Sequence, residues 1–177
     1  EEMQEKYPDA DICVFDSICA CGGHGMLIYH AIENKKKGMS AKENMQALEE
    51  LKHRIVHKFT VDDLTYLQRG GRISKTAAVI GGMIQLKPVL HVDTEGRLAA
   101  ESKVRGRRKA LNQLVSEMES CVGSYADKQE MVLICHADCL EDAEYVQAKV
   151  EEKFHPDKII ISEVGPIIGA HVGPGTM

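Results

Sequence analysis

Ile159-Ile-Ile-Ser-Glu-Val-Gly-Pro-Ile-Ile-Gly-Ala-His-Val-Gly-Pro-Gly175 runs from an apolar stretch directly into four glycines and two prolines around a lone histidine, His171. The isoleucine run reads as a buried strand. Proline removes a backbone donor and glycine resists ordering, so the residues after the strand read as a loop and not as a regular helix. Compact α/β domains carry ligand contacts on loops at strand ends. Glycines there let backbone N–H groups and one side chain approach a small charged group. A ligand site is favoured over a Gly/Pro-rich linker, with His171 as its candidate side chain.

Working backwards, Met131-Val-Leu-Ile-Cys135 is a second apolar run, and between the two Ala143, Val146, Val150 and Phe154 recur at helical spacing. Strand, helix and strand with so long a crossover imply a parallel, right-handed βαβ unit. Before it, Ala110, Leu111, Leu114, Val115 and Met118 form the inner face of a helix over 107–119. Val89–Val92, a turn at Asp93-Thr-Glu-Gly96 and Leu98–Val104 read as a β-hairpin. Ser74 can cap a helix reaching Gln85 and ended by Pro88, and a short helix over 60–68 is stopped by Gly70-Gly71. Together these predict a mixed sheet packed by helices. In the first third, Asp11-Ile-Cys-Val-Phe-Asp16 reads as a buried strand, Gly22-Gly23-His24-Gly25 as a turn, and 26–36 as a helix. The pair Ser40 and Glu43 forms a capping box for a helix ending near Phe59. We place the domain boundary there, giving 1–58 and 59–177.

The 177 residues are 44% hydrophobic and 28% charged, enough for one or two cores. A net charge of −5 leaves no global basic field for nucleic acid or anionic membrane, and 5% aromatics without Trp argue against a base-stacking surface. No apolar run approaches a membrane span and no signal-peptide pattern opens the chain, so a cytoplasmic location is expected. Cys13 and Cys135 lie in strand-like apolar runs, where a thiol behaves as a small hydrophobe. Cys19-x-Cys21 and Cys135-His136-x-x-Cys139 lack the paired knuckles of structural zinc sites. His53 and His57 have the i, i+4 spacing of a metal pair without the glutamate of a zincin, and a solvated pair is the better reading. No metal and no cofactor are expected.

Arg97, Lys103, Arg105, Arg107, Arg108 and Lys109 face only Glu101 within the same span. Cations at a helix N-terminus oppose its dipole, which suggests an anionic partner rather than a merely solvated face. Neither a P-loop nor a GxSxG elbow is present, so ATP hydrolysis and esterase chemistry find no residues here.

Four ordered segments carry a resemblance: Phe59–Ser74 with its Gly70-Gly71-Arg72, Gly81–Leu90, Lys103–Ala110, and the loop around His171. In that order and separation they closely resemble the DegV family of bacterial fatty-acid-binding proteins. The resemblance implies a two-lobed α/β fold, of which this chain holds the tail of the first lobe (1–58) and a complete second lobe (59–177), and so looks like a fragment. It implies that one long-chain fatty acid is bound with its tail in a tunnel between the lobes. His171 matches a histidine that contacts the carboxylate, alongside Ser and Thr residues of the first lobe outside this sequence. Arg72 and Arg105 match arginines near the head-group face, which engage a partner fatty-acid kinase. Met83, Ile84 and Leu86 on the helix before Pro88, with Ile167 and Ile168, are candidate tunnel walls.

Each buried methylene contributes about 0.8 kcal/mol, so a long acyl chain supplies a gross term on the order of 10 kcal/mol. A buried carboxylate without donors would be prohibitive, hence a histidine and hydroxyls. On this reading the protein is not an enzyme: it presents the acid, and the kinase makes the acyl phosphate that feeds phospholipid synthesis. A phosphate-dependent enzyme and a basic-patch nucleic-acid-binding regulator are the alternatives. With one lobe incomplete, the half-tunnel is expected to be exposed, to bind fatty acid weakly and to drive self-association, or else to leave 1–57 poorly packed.

Overall fold

The computed structural model describes residues 2–74, 86–125 and 128–177, and the chain divides into two compact units, Glu1–Ile55 and Val56–Met177. In the first unit α1 spans Glu2–Lys6, α2 Cys21–Lys36 and α3 Ala41–Leu51, followed by a 3-10 turn at Lys52–Arg54. The capping box forms as read: Ser40 Oγ accepts from Glu43 N at 3.3 Å, and Glu43 Oε2 accepts from Ser40 N at 2.8 Å. Asn44 ties the helices by donating to Ala31 O at 2.8 Å, and Leu27 and Leu48 are buried between them.

Three sequence readings in this unit are corrected. Residues 11–16 are not a strand: no strand among the unit's described residues pairs with them, and Val14 is 87% and Cys13 openly exposed. A strand without a ladder leaves its backbone groups unmade. The Gly22–Gly25 segment is the start of α2, not a turn. The turn comes earlier, because Asp16 Oδ1 accepts from Ile18 N at 3.0 Å and Ser17 Oγ from Cys19 N at 3.4 Å. Finally, α3 stops at Leu51; Phe59 belongs to a strand, and His53 and His57 share no helix.

The second unit places β1 at Lys58–Thr60, α4 at Thr65–Arg69, β2 at Leu86–Val92, β3 at Leu98–Arg105 and α5 at Arg107–Val122. Then follow β4 at Val132–His136, α6 at Leu140–Phe154, β5 at Ile159–Glu163 and α7 at Pro166–Val172. The expected hairpin is present: β1, β2 and β3 form an antiparallel sheet, and Asp93 Oδ1 shapes the turn by accepting from Glu95 N and Arg97 N, both at 2.9 Å. The parallel pair β4–β5 with α6 as crossover is also present. The architecture is thus mixed α/β, but the strands among the described residues lie in two sheets rather than one. Residues 175–177 stitch them together. Met177 exchanges both backbone hydrogen bonds with Thr60 at 2.8 and 2.9 Å, and Ala137 bonds Thr176 O and Gly175 N at 2.9 and 2.7 Å.

The short helix starts at Thr65, not Thr60. Thr60 is a fully buried β1 residue whose hydroxyl donates to Pro88 O at 2.7 Å, while Asp63 Oδ1 accepts from Thr65 N at 2.8 Å. The expected helix over 74–85, with Met83 and Ile84, lies outside the described residues. Leu86 is not helical: it opens β2, a strand that contains Pro88. Pro88 is tolerated because the pairing of β1 with β2 stops at Val89, so no ladder bond to β1 is lost.

Two cores hold the unit. The larger joins α5, α6 and both sheets through Val89, Leu111, Ile134, Val146 and Phe154. The smaller packs α4 against α7 through Val61, Leu64, Leu67, Leu90 and Val172, with Ile168 partly buried beside them.

Candidate functional site

His171 lies on the last turn of α7, a seven-residue helix where a loop is expected from the sequence. Proline and glycine do not forbid it, because of where they fall. Pro166 takes the first helical position, where its missing N–H has no intrahelical acceptor to lose, and Gly165 and Gly173 stand just outside the two ends. Gly169 alone is internal, at a cost near 1 kcal/mol. Packing of Val172 and Ile168 into the smaller core offsets it.

The partner surface is α4 and its stop. Arg72 N bonds Leu67 O at 2.8 Å and Gly71 N bonds Gln68 O at 3.0 Å, the paired bonds of a Schellman motif, with Gly71 at φ +70. Arg72 then folds back, donating from Nη1 to Gly70 O at 2.6 Å. The His171 ring rests on Gly70, and its Nδ1 is buried with no hydrogen-bond partner among the described residues. The contact continues beyond α7: a Cβ on Gly173 would stand 2.5 Å from the Tyr66 ring, and one on Gly175 2.6 Å from Asp62 Oδ2. Sequence reading found His171 and the Gly70-Gly71-Arg72 turn separately; the fold joins them.

Beside this junction is an open groove of about 610 Å³. Its walls are Leu64, Ile73, Pro88, Leu90, Leu98 and Ala100, and Arg72, Arg97 and Lys103 bring three cations to the same surface. An apolar trough with cations is chemically suited to an amphiphile bearing an acid group. Of the residues singled out from sequence, Arg72 lines this groove. Arg105 is at the end of β3 opposite Leu86, and neither is on its wall among the described residues. Ile167 and Ile168 part company: Ile167 is 79% exposed, while Ile168 turns into the smaller core.

The basic run resolves into separate partnerships. Arg97 pairs with Asp93 at 3.1 Å and Glu95 at 2.9 Å, Arg107 with Asp142 at 2.7 Å and Asp62 at 3.5 Å, and Arg108 stacks 3.8 Å from the Tyr145 ring centroid. Asp62, Asp142 and Tyr145 are distant in sequence, so no local pattern announced them. Arg107 with Lys87, Asp62 and Asp142 lines a polar cleft of about 480 Å³ that also holds Cys139. Burial pushes the Cys139 thiol above its ordinary range, although Arg107 pulls the other way. Among the described residues no group of three or more His, Cys, Asp or Glu side chains could hold a metal ion, and no helix is long and apolar enough to cross a membrane.

Comparison with known proteins places this geometry in context. The family model described as "Uncharacterised protein, DegV family" matches residues 1–177. A DegV domain-containing protein of Clostridium perfringens is 44% identical over 177 residues, covering 100% of this chain and 60% of that protein. The chain thus spans about 60% of the length of the curated relatives it matches. Among solved structures, a fatty-acid-binding DegV family protein of Streptococcus agalactiae superposes with TM-score 0.81 at 27% identity, covering 99% of this chain and 61% of that one. A DegV family protein of Thermus thermophilus, solved for its fatty-acid binding, gives TM-score 0.83 at 27% identity, covering 99% and 62%.

Proposed function

The chain belongs to the DegV family, and on that premise we propose that it binds one long-chain fatty acid and holds the carboxylate beside His171. A partner kinase then converts the presented acid to the acyl phosphate that feeds phospholipid synthesis. One observation supports the reading: the His171 ring packs on Gly70, and the next two residues of that turn, Gly71 and Arg72, line an apolar groove that also bears Arg97 and Lys103. Burying the acyl chain supplies the affinity, and the head group needs donors to leave water. His171 is one such donor.

The groove walls, with Met83, Ile84, Leu86, Ile167 and Ile168 as further candidates, receive the tail. Arg72 and Arg105 meet the kinase. We keep the boundary between the two lobes at residue 58, close to the division into Glu1–Ile55 and Val56–Met177. The protein is a cytoplasmic carrier, not an enzyme: its own groups bind and orient the acid, and the phosphoryl transfer belongs to the partner. A phosphate-dependent enzyme and a basic-patch nucleic-acid-binding regulator are the second readings; Gly22–Gly25 opens α2, and Arg107 is ion-paired with Asp142.

Native mass spectrometry of the purified protein tests the reading. A co-purified mass equal to a fatty acid, lost on delipidation and restored by oleate, is the expected result. No adduct and no oleate uptake would overturn it.

A further inference from the structure

The two glycines of the Gly70-Gly71-Arg72 turn serve different ends. Gly71 has φ +70 and open space where a side chain would stand, so it is glycine for its backbone. Gly70 is the reverse. Its φ of −74 and ψ of −3 suit any residue, yet an added Cβ would overlap His171 Nδ1 and stand 3.2 Å from the ring's Cγ and Cε1. Glycine is needed at 70 for the ring, not for the chain. The ring edge facing this seat is the one whose nitrogen is buried without a hydrogen-bond partner among the described residues.

We infer that Gly70 is a positioning residue for His171: its bare Cα seats the imidazole, seals Nδ1 and leaves Nε2 as the nitrogen offered to an anionic head group. A proton on Nδ1 would be a buried donor with no acceptor among the described residues, which folded proteins rarely tolerate. The neutral ring therefore carries its proton on Nε2, where it can donate to a carboxylate. The seat is held from both sides. Arg72 Nη1 and the Schellman bonds fix the turn below, and the close approaches of Gly173 to Tyr66 and Gly175 to Asp62 hold α7 above. The identity of the group meeting Nε2 rests on the fatty-acid reading; the seat itself does not.

Proton–nitrogen correlation spectra of the histidine rings in this 177-residue chain read the tautomer directly, with H171A assigning the signal. Protonated Nε2 and bare Nδ1 are expected for His171. In G70A the His171 signals should move while the other ring signals and the thermal transition stay in place. Oleate affinity should fall about tenfold in G70A and in H171A, with the double variant no weaker than either single one. A protonated Nδ1 in the unmodified chain, or unmoved His171 signals in G70A, overturns the inference. If G70A does not fold, the tautomer of the unmodified chain still decides. If the ring moves in G70A while oleate binds the unmodified chain without touching the His171 signals, the seat stands and the head-group reading falls.

Discussion

His171 follows Ile167 by four residues and Ile168 by three, and the helical spacing sorts the three by environment. Ile168 is drawn into the core, Ile167 stays in solvent, and the histidine remains half-buried with one nitrogen sealed. A neutral imidazole donating to a carboxylate is a charge-assisted bond of about 1.5–3 kcal/mol. His171→Ala should therefore weaken fatty-acid binding about tenfold or more while leaving the thermal transition within a few degrees, as titration and melting together would show. Arg72 and Arg105 call for a different readout. Both side chains are exposed, so removing either should lower phosphorylation by the partner kinase more than it lowers fatty-acid affinity. Equal losses in the two assays would place the arginines in the ligand site instead. His171 and the Gly70-Gly71 turn were each legible in the sequence, because lone polar residues and paired glycines stand out locally. Their contact was not, since nothing in either segment encodes a partner a hundred residues away.

At the scale of elements, local patterns were readable wherever one face met a single core. The apolar spacing of α6, the capping box of α3 and the Asp93 turn of the hairpin all appear where the sequence puts them. Failures came where position outweighed residue type, as with Pro166 at the first turn of α7. In the register of β2 with β3, Val89 faces Ser102 and Leu90 faces Ala100, so Glu101 is the extra residue of a bulge. Its carboxylate meets Lys58 of β1 at 2.5 Å, with Glu117 of α5 3.6 Å from the same ammonium. The hydrogen bond from Lys58 holds the Glu101 carboxyl below its usual range. Burial opposes the charge on Lys58, but Glu101 and its acidic neighbours outweigh it and raise that pKa. A lowered carboxylate contributes stability that is present above its unfolded value, about 4.3, and is lost as pH falls through the folded one. A raised lysine contributes stability that is present below about 10.4 and is lost as pH rises through its folded value. Melting temperature against pH should therefore form a plateau with both shoulders, and Lys58→Met should lower the plateau and flatten both. A Lys58→Met profile parallel to that of the unmodified chain would remove the pair from the stability of this sheet.

The whole chain carries the family signature, yet exposed apolar residues are spread unevenly between its two units. The resemblance was legible because four motifs in order are specific. The split into two sheets was not, because residues 175–177 join them by backbone bonds that leave no mark on composition. In the second unit the exposed large apolar side chains, Val56, Tyr66, Tyr125, Leu140 and Ile167, are scattered along the sequence, and scattered singles are normal on a soluble surface. In the first unit Ile28 and Ile32 are 50% and 49% exposed and one helical turn apart on α2, with Val14 at 87% on the preceding segment. Adjacent large apolar side chains of this kind favour association. The 177-residue chain should accordingly show, by light scattering, a mass above that of one chain that grows with concentration. Replacing Ile28 and Ile32 together with lysine should return it to one chain, because each contact would then require desolvating two ammonium groups. Ile167→Lys should leave the mass unchanged and so acts as the control. Dissociation by Ile167→Lys alone would instead put the self-contact on α7. A dilute monomer that still carries one fatty acid per chain would go further, since the ligand would then be held without help from a second copy.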